Sequence, residues 1–245
     1  MKKIAVVTGA SSGIGEATAR LLAQNGWHVW TGARRLEKLQ TLRDEIGGDC
    51  AALDVADASS VEQFCAALPD EIHLLVNNAG GALGLETIAE ADEAKWTQMW
   101  QSNVLGLMRM TRACLPKLLP ARGHIINITS IAGREVYPNG AGYTSAKHAA
   151  RVVTQTLRLE LSGQPVRITD VAPGLVETEF SVVRFDGDQE RADNVYRGIT
   201  PLVAQDIAEC IVWAAQRPAH VNIDEIVVKP LAQAAATIVA RDKGL

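Results

Sequence analysis

The stretch Ile4-Ala5-Val6-Val7-Thr8-Gly9-Ala10-Ser11-Ser12-Gly13-Ile14-Gly15 decides the fold. Its first five residues are branched and apolar without alternation, the pattern of a short strand buried on both faces. Glycines follow at once, and an Ala- and Leu-rich helix runs on from about Gly13 to Asn25. Gly9, Gly13 and Gly15 let the backbone turn tightly and approach a ligand, while the first free N–H groups of the helix attract a diphosphate. Ser11, Ser12 and Ile14 belong to the same turn. The alternative is an ordinary strand-to-helix turn with no ligand.

Working outward, short apolar runs alternate with helical stretches. Strands are expected at Trp27 to Gly32, Cys50 to Leu53, Ile72 to Val76, Gly123 to Ile128, Val166 to Val171 and Asp224 to Val228, and helices at Leu36 to Ile46, Ala58 to Ala67, Trp96 to Leu115, Ala141 to Leu161 and Ala204 to Gln216. This alternation predicts an α/β fold: a single Rossmann domain over 1–245 with a doubly wound parallel sheet of about seven strands and helices on both faces. The second strand ends in Ala33-Arg34-Arg35, about 20 residues past the last glycine, where an acidic residue usually takes the ribose 2′-hydroxyl of NAD. A guanidinium there pairs with the 2′-phosphate of NADP instead. Otherwise the two arginines are a solvated basic start to the next helix.

The composition narrows the partners. With 47% hydrophobic residues the chain of 245 buries a large core, and a net charge of -4 without a basic block speaks against nucleic acid or an anionic membrane. A small-molecule substrate is expected. Cys50, Cys65, Cys114 and Cys210 form no CxxC pair and read as core thiols of a reducing compartment, so a cytoplasmic location is expected. His28, His73, His124, His148 and His220 have no ligand spacing, so no metal site is assigned.

One further group carries chemistry. In Tyr143-Thr144-Ser145-Ala146-Lys147 the phenol and the ammonium lie four residues apart, on one face of a helix. A tyrosine's free pKa of roughly 10 is high for proton exchange near neutrality, and a close cation lowers it. By itself the pair also fits a half-buried ring beside a solvated lysine.

Thr-Gly-x-x-x-Gly-x-Gly at Thr8 to Gly15 together with Tyr-x-x-x-Lys at Tyr143 to Lys147 resembles the short-chain dehydrogenase/reductase family, over nearly the whole chain. The resemblance implies NADP(H) chemistry with Tyr143 as proton donor or acceptor, Ser130 orienting the substrate oxygen, Lys147 also binding the nicotinamide ribose, and Asn103 holding a water behind the lysine. It places Asp54 and Val55 at the adenine, although Asp54 also reads as a turn or cap residue. Asn77-Asn78-Ala79-Gly80 resembles a family motif that supports the sheet and puts Asn78, Ala79 and Gly80 beside the cofactor. Pro173 and Gly174 pass the nicotinamide, with Val176 and Thr178 near the carboxamide and diphosphate. The family also implies a homotetramer, with the apolar tail at 231–245 as an interface, and the polar segment at about 174–200 reads as a substrate lid.

Within the family, Gly32-Ala33-Arg34-Arg35, Pro173 to Phe180, Ser181 to Phe185 and Pro218 to Ile223 resemble NADP-dependent 3-hydroxy acid dehydrogenases. That implies a short anionic substrate such as serine, L-allo-threonine or 3-hydroxypropionate. A cation must then meet the acid group; Arg184 is the first candidate and Arg134 the second. Two other readings stand: a reductase of another small aldehyde or ketone, sulfonated aldehydes included, and an NADP-sensing protein without turnover.

Overall fold

A computed structural model describes residues 2–242; Met1 and the last three residues of the expected 231–245 tail lie outside the described residues. The chain alternates β1 (Ile4–Thr8), α1 (Gly13–Gln24), β2 (His28–Ala33), α2 (Leu36–Ile46), β3 (Asp49–Ala52), α3 (Ala58–Ala67) and β4 (Leu74–Asn77). It continues with α4 (Glu93–Trp100), α5 (Gly106–Leu118), β5 (His124–Ile128), α6 (Ala141–Glu160), β6 (Arg167–Pro173) and β7 (Val176–Glu177). Then come α7 (Glu179–Arg184), α8 (Gln189–Tyr196), β8 (Leu202–Val203), α9 (Ala204–Ala215), β9 (Glu225–Val228), β10 (Gln233–Ala235) and β11 (Ile238–Val239).

Seven strands form one sheet in the order β3-β2-β1-β4-β5-β6-β9. Every neighbouring pair is parallel. Because a strand's side chains alternate, Ala5 and Val7 enter the core with Leu22, Ile207 and Ile211, whereas Val6 enters the opposite one with Phe64, Met110 and Leu118. That two-sided burial is why β1 shows no polar alternation. Each fully buried aliphatic side chain stabilises the fold by about 1.5–3 kcal/mol.

The chain winds from β1 to one sheet edge and returns beside it as β4, so a crevice opens where their carboxyl ends diverge. Thr8 fastens this point: its Oγ1 accepts from the N–H groups of Asn78 and Ala79, each at 3.0 Å, and Asn78 Nδ2 donates to Thr8 O at 2.9 Å. Deeper in the sheet, Asn77 Nδ2 donates to Asn127 Oδ1 and Thr111 Oγ1, and Asn127 Nδ2 donates to Thr154 Oγ1 of α6. The amides thus tie β4, β5, α5 and α6 together, as expected of asparagines at strand ends.

One segment differs from the sequence expectation, and two take a local form that the sequence did not specify. The stretch expected as one helix over Trp96 to Leu115 is interrupted by a π-helical turn, Gln101–Leu105. Buried Asn103 is the cause: its Nδ2 donates to Met99 O and Gly81 O, each at 2.8 Å, and the widened turn accommodates that side chain. The polar 174–200 segment is built of α7 and α8, started by the side chains of Thr178 and Asp188, which accept from N–H groups in the first turn. The tail folds back as the β10–β11 hairpin onto its own chain, with Gln233 Oε1 accepting from Leu175 N at 2.9 Å and Ala236 N donating to Glu135. Leu231 and Ile238 still point outward.

Among the described residues no helix is long and apolar enough to cross a membrane. Cys65 and Cys114 are buried thiols, but Cys50 and Cys210 are only half-buried, so the reading of all four as core residues holds for two.

Candidate active site

A cleft of about 980 Å³ opens over the carboxyl ends of β1, β4, β5 and β6. Of the residues singled out in the sequence, Gly9, Ser11, Ser12, Gly13, Ile14, Arg34, Arg35, Asp54, Val55, Asn78, Ala79 and Gly80 line one part of it. Ser130, Tyr143, Lys147, Pro173, Gly174, Val176, Thr178 and Arg184 line the remainder. Gly15 and Asn103 stand behind the wall instead.

The glycine turn is shaped by close approach. Gly9 has a φ of +67° and packs so tightly that a Cβ on it would sit 2.9 Å from Ala79 Cα. A Cβ on Gly15 would come within 2.5 Å of the Gly9 carbonyl oxygen. Side chains at these positions would break the turn and fill the space before the α1 N-terminus. Across that space stands Thr178 of the lid segment, 3.3 Å from where a Gly13 Cβ would be.

The two arginines part company. Arg35 Nε donates to Ser11 Oγ at 3.2 Å, Nη2 to Ser12 Oγ at 2.8 Å, and Nη1 to Glu179 Oε2 at 2.8 Å. Lys38 Nζ donates to the other oxygen of Glu179 at 2.9 Å. Arg34 is exposed and makes no side-chain hydrogen bond among the described residues. The glycine cradle before a helix N-terminus, with Arg35 just past β2 and Lys38 in the first turn of α2, fits a dinucleotide carrying an extra phosphate. Asp54 turns back on its own loop, Oδ1 accepting from Ala56 N, while Asp57 caps α3. The cap reading of Asp54 therefore passes to Asp57, and Asp54 keeps its place in the cleft wall.

At the far end α6 presents Tyr143 and Lys147 on its buried face, with Ala150 and Thr154 continuing the same stripe. Phe180 meets the Tyr143 ring edge-on at 5.6 Å between centroids. Burial and neighbouring Tyr137 push the phenol's pKa up, against the nearby Ser130 hydroxyl and the charge of Arg184, which lower it. Burial also brings Lys147 down to about 8, opposed by Asp170. The lysine's Nζ donates to Ile128 O at 3.0 Å and lies 5.8 Å from the tyrosine ring centre. The expectation that Lys147 depresses the Tyr143 pKa is corrected for the free protein, where exclusion of water dominates and the groups opposing it are Ser130 and Arg184.

Ser130 Oγ accepts from Ala132 N at 3.1 Å and faces Pro173 O at 3.3 Å, which fixes the hydroxyl at the carboxyl end of β5. Of the two candidate cations, Arg134 is taken by a buried ion pair with Asp170 at 2.8 Å and one with Glu225 at 3.2 Å, and it does not line the cleft. Arg184 does, with its Cζ 5.6 Å from the Tyr143 ring centre and no carboxylate partner among the described residues. Nε donates to Gly84 O and Nη2 to the Tyr137 hydroxyl, which aims the guanidinium inward.

The sequence reading missed Lys38, Glu179, Tyr137, Tyr196 and Gln233. Tyr196 donates to Val176 O at 2.8 Å and shares a hydrogen bond with Ser181 at 2.7 Å, holding α8 against the cleft. Glu179 falls within the Pro173 to Phe180 stretch, but nothing local there points it at Arg35 and Lys38, and the other four carry no motif; only the fold assembles them.

Comparison with known proteins agrees with this geometry. Residues 3–189 match the family model described as short chain dehydrogenase. The chain is 57% identical to an uncharacterized oxidoreductase of Mycobacterium tuberculosis, covering 96% of this chain and 94% of that one. It is 45% identical to a protein of Salmonella typhi named NADP-dependent 3-hydroxy acid dehydrogenase, covering 95% and 97%. Among solved structures, the closed form of a serine dehydrogenase complexed with NADP+ superposes with a TM-score of 0.93 at 41% identity, covering 98% of this chain and 100% of that one. With its glycine cradle and its Tyr143 and Lys147 facing one cleft, this chain belongs to the short-chain dehydrogenase family of oxidoreductases.

Proposed function

We propose that this chain interconverts a short 3-hydroxy acid and its 3-oxo acid or semialdehyde, using NADP(H). The observation that carries the substrate class is Arg184, a cation facing the cleft beside Tyr143 without a carboxylate partner among the described residues. A carboxylate on that guanidinium brings a carbon two bonds away, and the oxygen it bears, toward the phenol. The serine dehydrogenase and 3-hydroxy acid dehydrogenase likenesses support the same reading.

Arg35 and Lys38 would hold the 2′-phosphate, the turn from Gly9 to Gly15 the diphosphate, and the nicotinamide, when bound, supplies or accepts the hydride. The Tyr143 hydroxyl gives a proton to the substrate oxygen in reduction and takes it back in oxidation. Ser130 donates a hydrogen bond to that oxygen as negative charge develops there. Lys147 adds positive charge to the buried end of the cleft. Asn103 braces the loop at Gly81, its amide donating to that carbonyl at 2.8 Å. Phe180, Tyr137 and Leu83 shield the reaction from water.

Subunit association through the outward Leu231 and Ile238 belongs to this reading as a homotetramer, and the free thiols fit a cytoplasmic setting. The test is a panel of serine, L-allo-threonine, 3-hydroxypropionate, malonic semialdehyde, sulfonated aldehydes and uncharged ketones, each with both cofactors. Saturation by the carboxylates with NADP(H) is the expected result. Saturation only by uncharged ketones removes the acid reading, and preference for a sulfonate redirects it to the sulfonated aldehydes.

A further inference from the structure

The end of the cleft assigned to the 2′-phosphate already contains an anion of the protein's own. Glu179, the first residue of α7, reaches across the cleft mouth to Arg35 and Lys38, which precede it by 144 and 141 positions in the chain. Of the three arms of the Arg35 guanidinium, two go to serine side chains and only the third to a charged group. The Glu179 carboxyl is held down to about 2 by the hydrogen bonds from Lys38 and Arg35, so it stays ionised at any working pH. Its geometry imitates what a phosphate on the same cations would adopt, a bridge between guanidinium and ammonium.

The other end of α7 is fastened separately. Arg184 Nε donates to Gly84 O at 3.1 Å, and Gly84 N donates to Arg184 O at 2.9 Å. Glu179 is thus the tie at the cofactor end of this short helix, and it involves the two cations the phosphate needs. Two anions on one guanidinium arm repel each other, so a phosphate arriving there works against the carboxylate.

We infer that Glu179 is a specificity-determining residue: an internal anion in the 2′-phosphate subsite that a phosphorylated cofactor displaces and an unphosphorylated one leaves in place. This rests on the NADP(H) reading given above. NAD(H) has no group to replace Glu179, so its binding does not draw on Arg35 and Lys38. NADP(H) does, and its net gain is what remains after the carboxylate has been expelled.

The experiment measures, by titration calorimetry on the full chain, the affinities of 2′,5′-ADP and 5′-ADP for the wild type and for Glu179→Gln. These probes carry the phosphates in question without the nicotinamide, and the half-exposed Glu179 side chain makes the substitution compatible with folding. The expected result is 2′,5′-ADP binding about three- to tenfold tighter in Glu179→Gln, with 5′-ADP within about twofold of the wild type. Lys38→Gln is expected to weaken 2′,5′-ADP by a similar factor. Unchanged or weaker 2′,5′-ADP binding in Glu179→Gln overturns the inference, because the carboxylate then sits beside the phosphate without competing. A wild type that does not prefer 2′,5′-ADP to 5′-ADP overturns the NADP(H) reading itself, and this inference with it.

Discussion

The Lys147 ammonium lies 5.8 Å from the centre of the Tyr143 ring and donates to the Ile128 carbonyl at 3.0 Å, so helix and sheet edge share one buried cation. Neither group is solvated, and each is shifted toward its neutral form. The free protein therefore holds Tyr143 as a neutral phenol.

Removing the phenolic hydroxyl isolates its contribution. Tyr143→Phe keeps the ring that packs on Phe180 and is expected to lower turnover by about a hundredfold to ten-thousandfold, the usual share of a positioned proton donor. NADPH binding, read by fluorescence titration, should stay within a few-fold. Undiminished turnover would exclude Tyr143 as the proton donor.

Arg184→Ala tests the acid-binding role. The expected effect is a rise in KM for carboxylate substrates of about tenfold to a hundredfold, the range of a charge-assisted hydrogen bond, with a much smaller change for an uncharged ketone. Equal losses on charged and uncharged substrates would show that the arginine only holds the lid through Gly84.

The arginines at the end of β2 should separate in the same way their contacts do. Arg35→Ala is expected to weaken NADPH by about tenfold to a hundredfold and NADH little, since it loses the arm available to a 2′-phosphate. Arg34→Ala, on an exposed side chain, is expected to have the smaller effect. Dissociation constants for both cofactors in the two variants check this.

His124 gives a pH dependence of stability. It is buried beside Thr169, and burial with nearby Arg167 lowers its pKa to about 3 from an ordinary 6.5. Between these values the unfolded chain takes up a proton that the native chain refuses, so stability is full above about 6.5 and falls as the pH drops toward 3, by a few kcal/mol. Urea midpoints from pH 7 to 4 should decline in the wild type, and decline less steeply in His124→Gln, which retains a hydrogen-bonding group without the titration.

Much of the site was legible because its parts obey local rules. A glycine at a left-handed or crowded position, such as Gly9 or Gly15, leaves a spacing that survives in one dimension, and Tyr143 with Lys147 shares a face by helical period alone. The choice between Arg184 and Arg134 was not legible. Both are arginines near polar segments, and the difference is that Asp170 and Glu225 claim one and no carboxylate among the described residues claims the other. Likewise nothing near Asn103 announces a π-helical turn, which arises from its amide reaching the loop at Gly81.

By itself, the sequence determined the strand-turn-helix at Ile4 to Gly15, the alternation that becomes a parallel sheet, and the phenol and amine on one helical face, because each depends on neighbours within a few residues. The tertiary structure alone decided which arginine meets the cleft, that Glu179 lies on Arg35 and Lys38, and that the tail folds back to Leu175. Those outcomes are pairings between residues far apart in the chain, set by where a twisted sheet carries its strand ends, and no local periodicity records them.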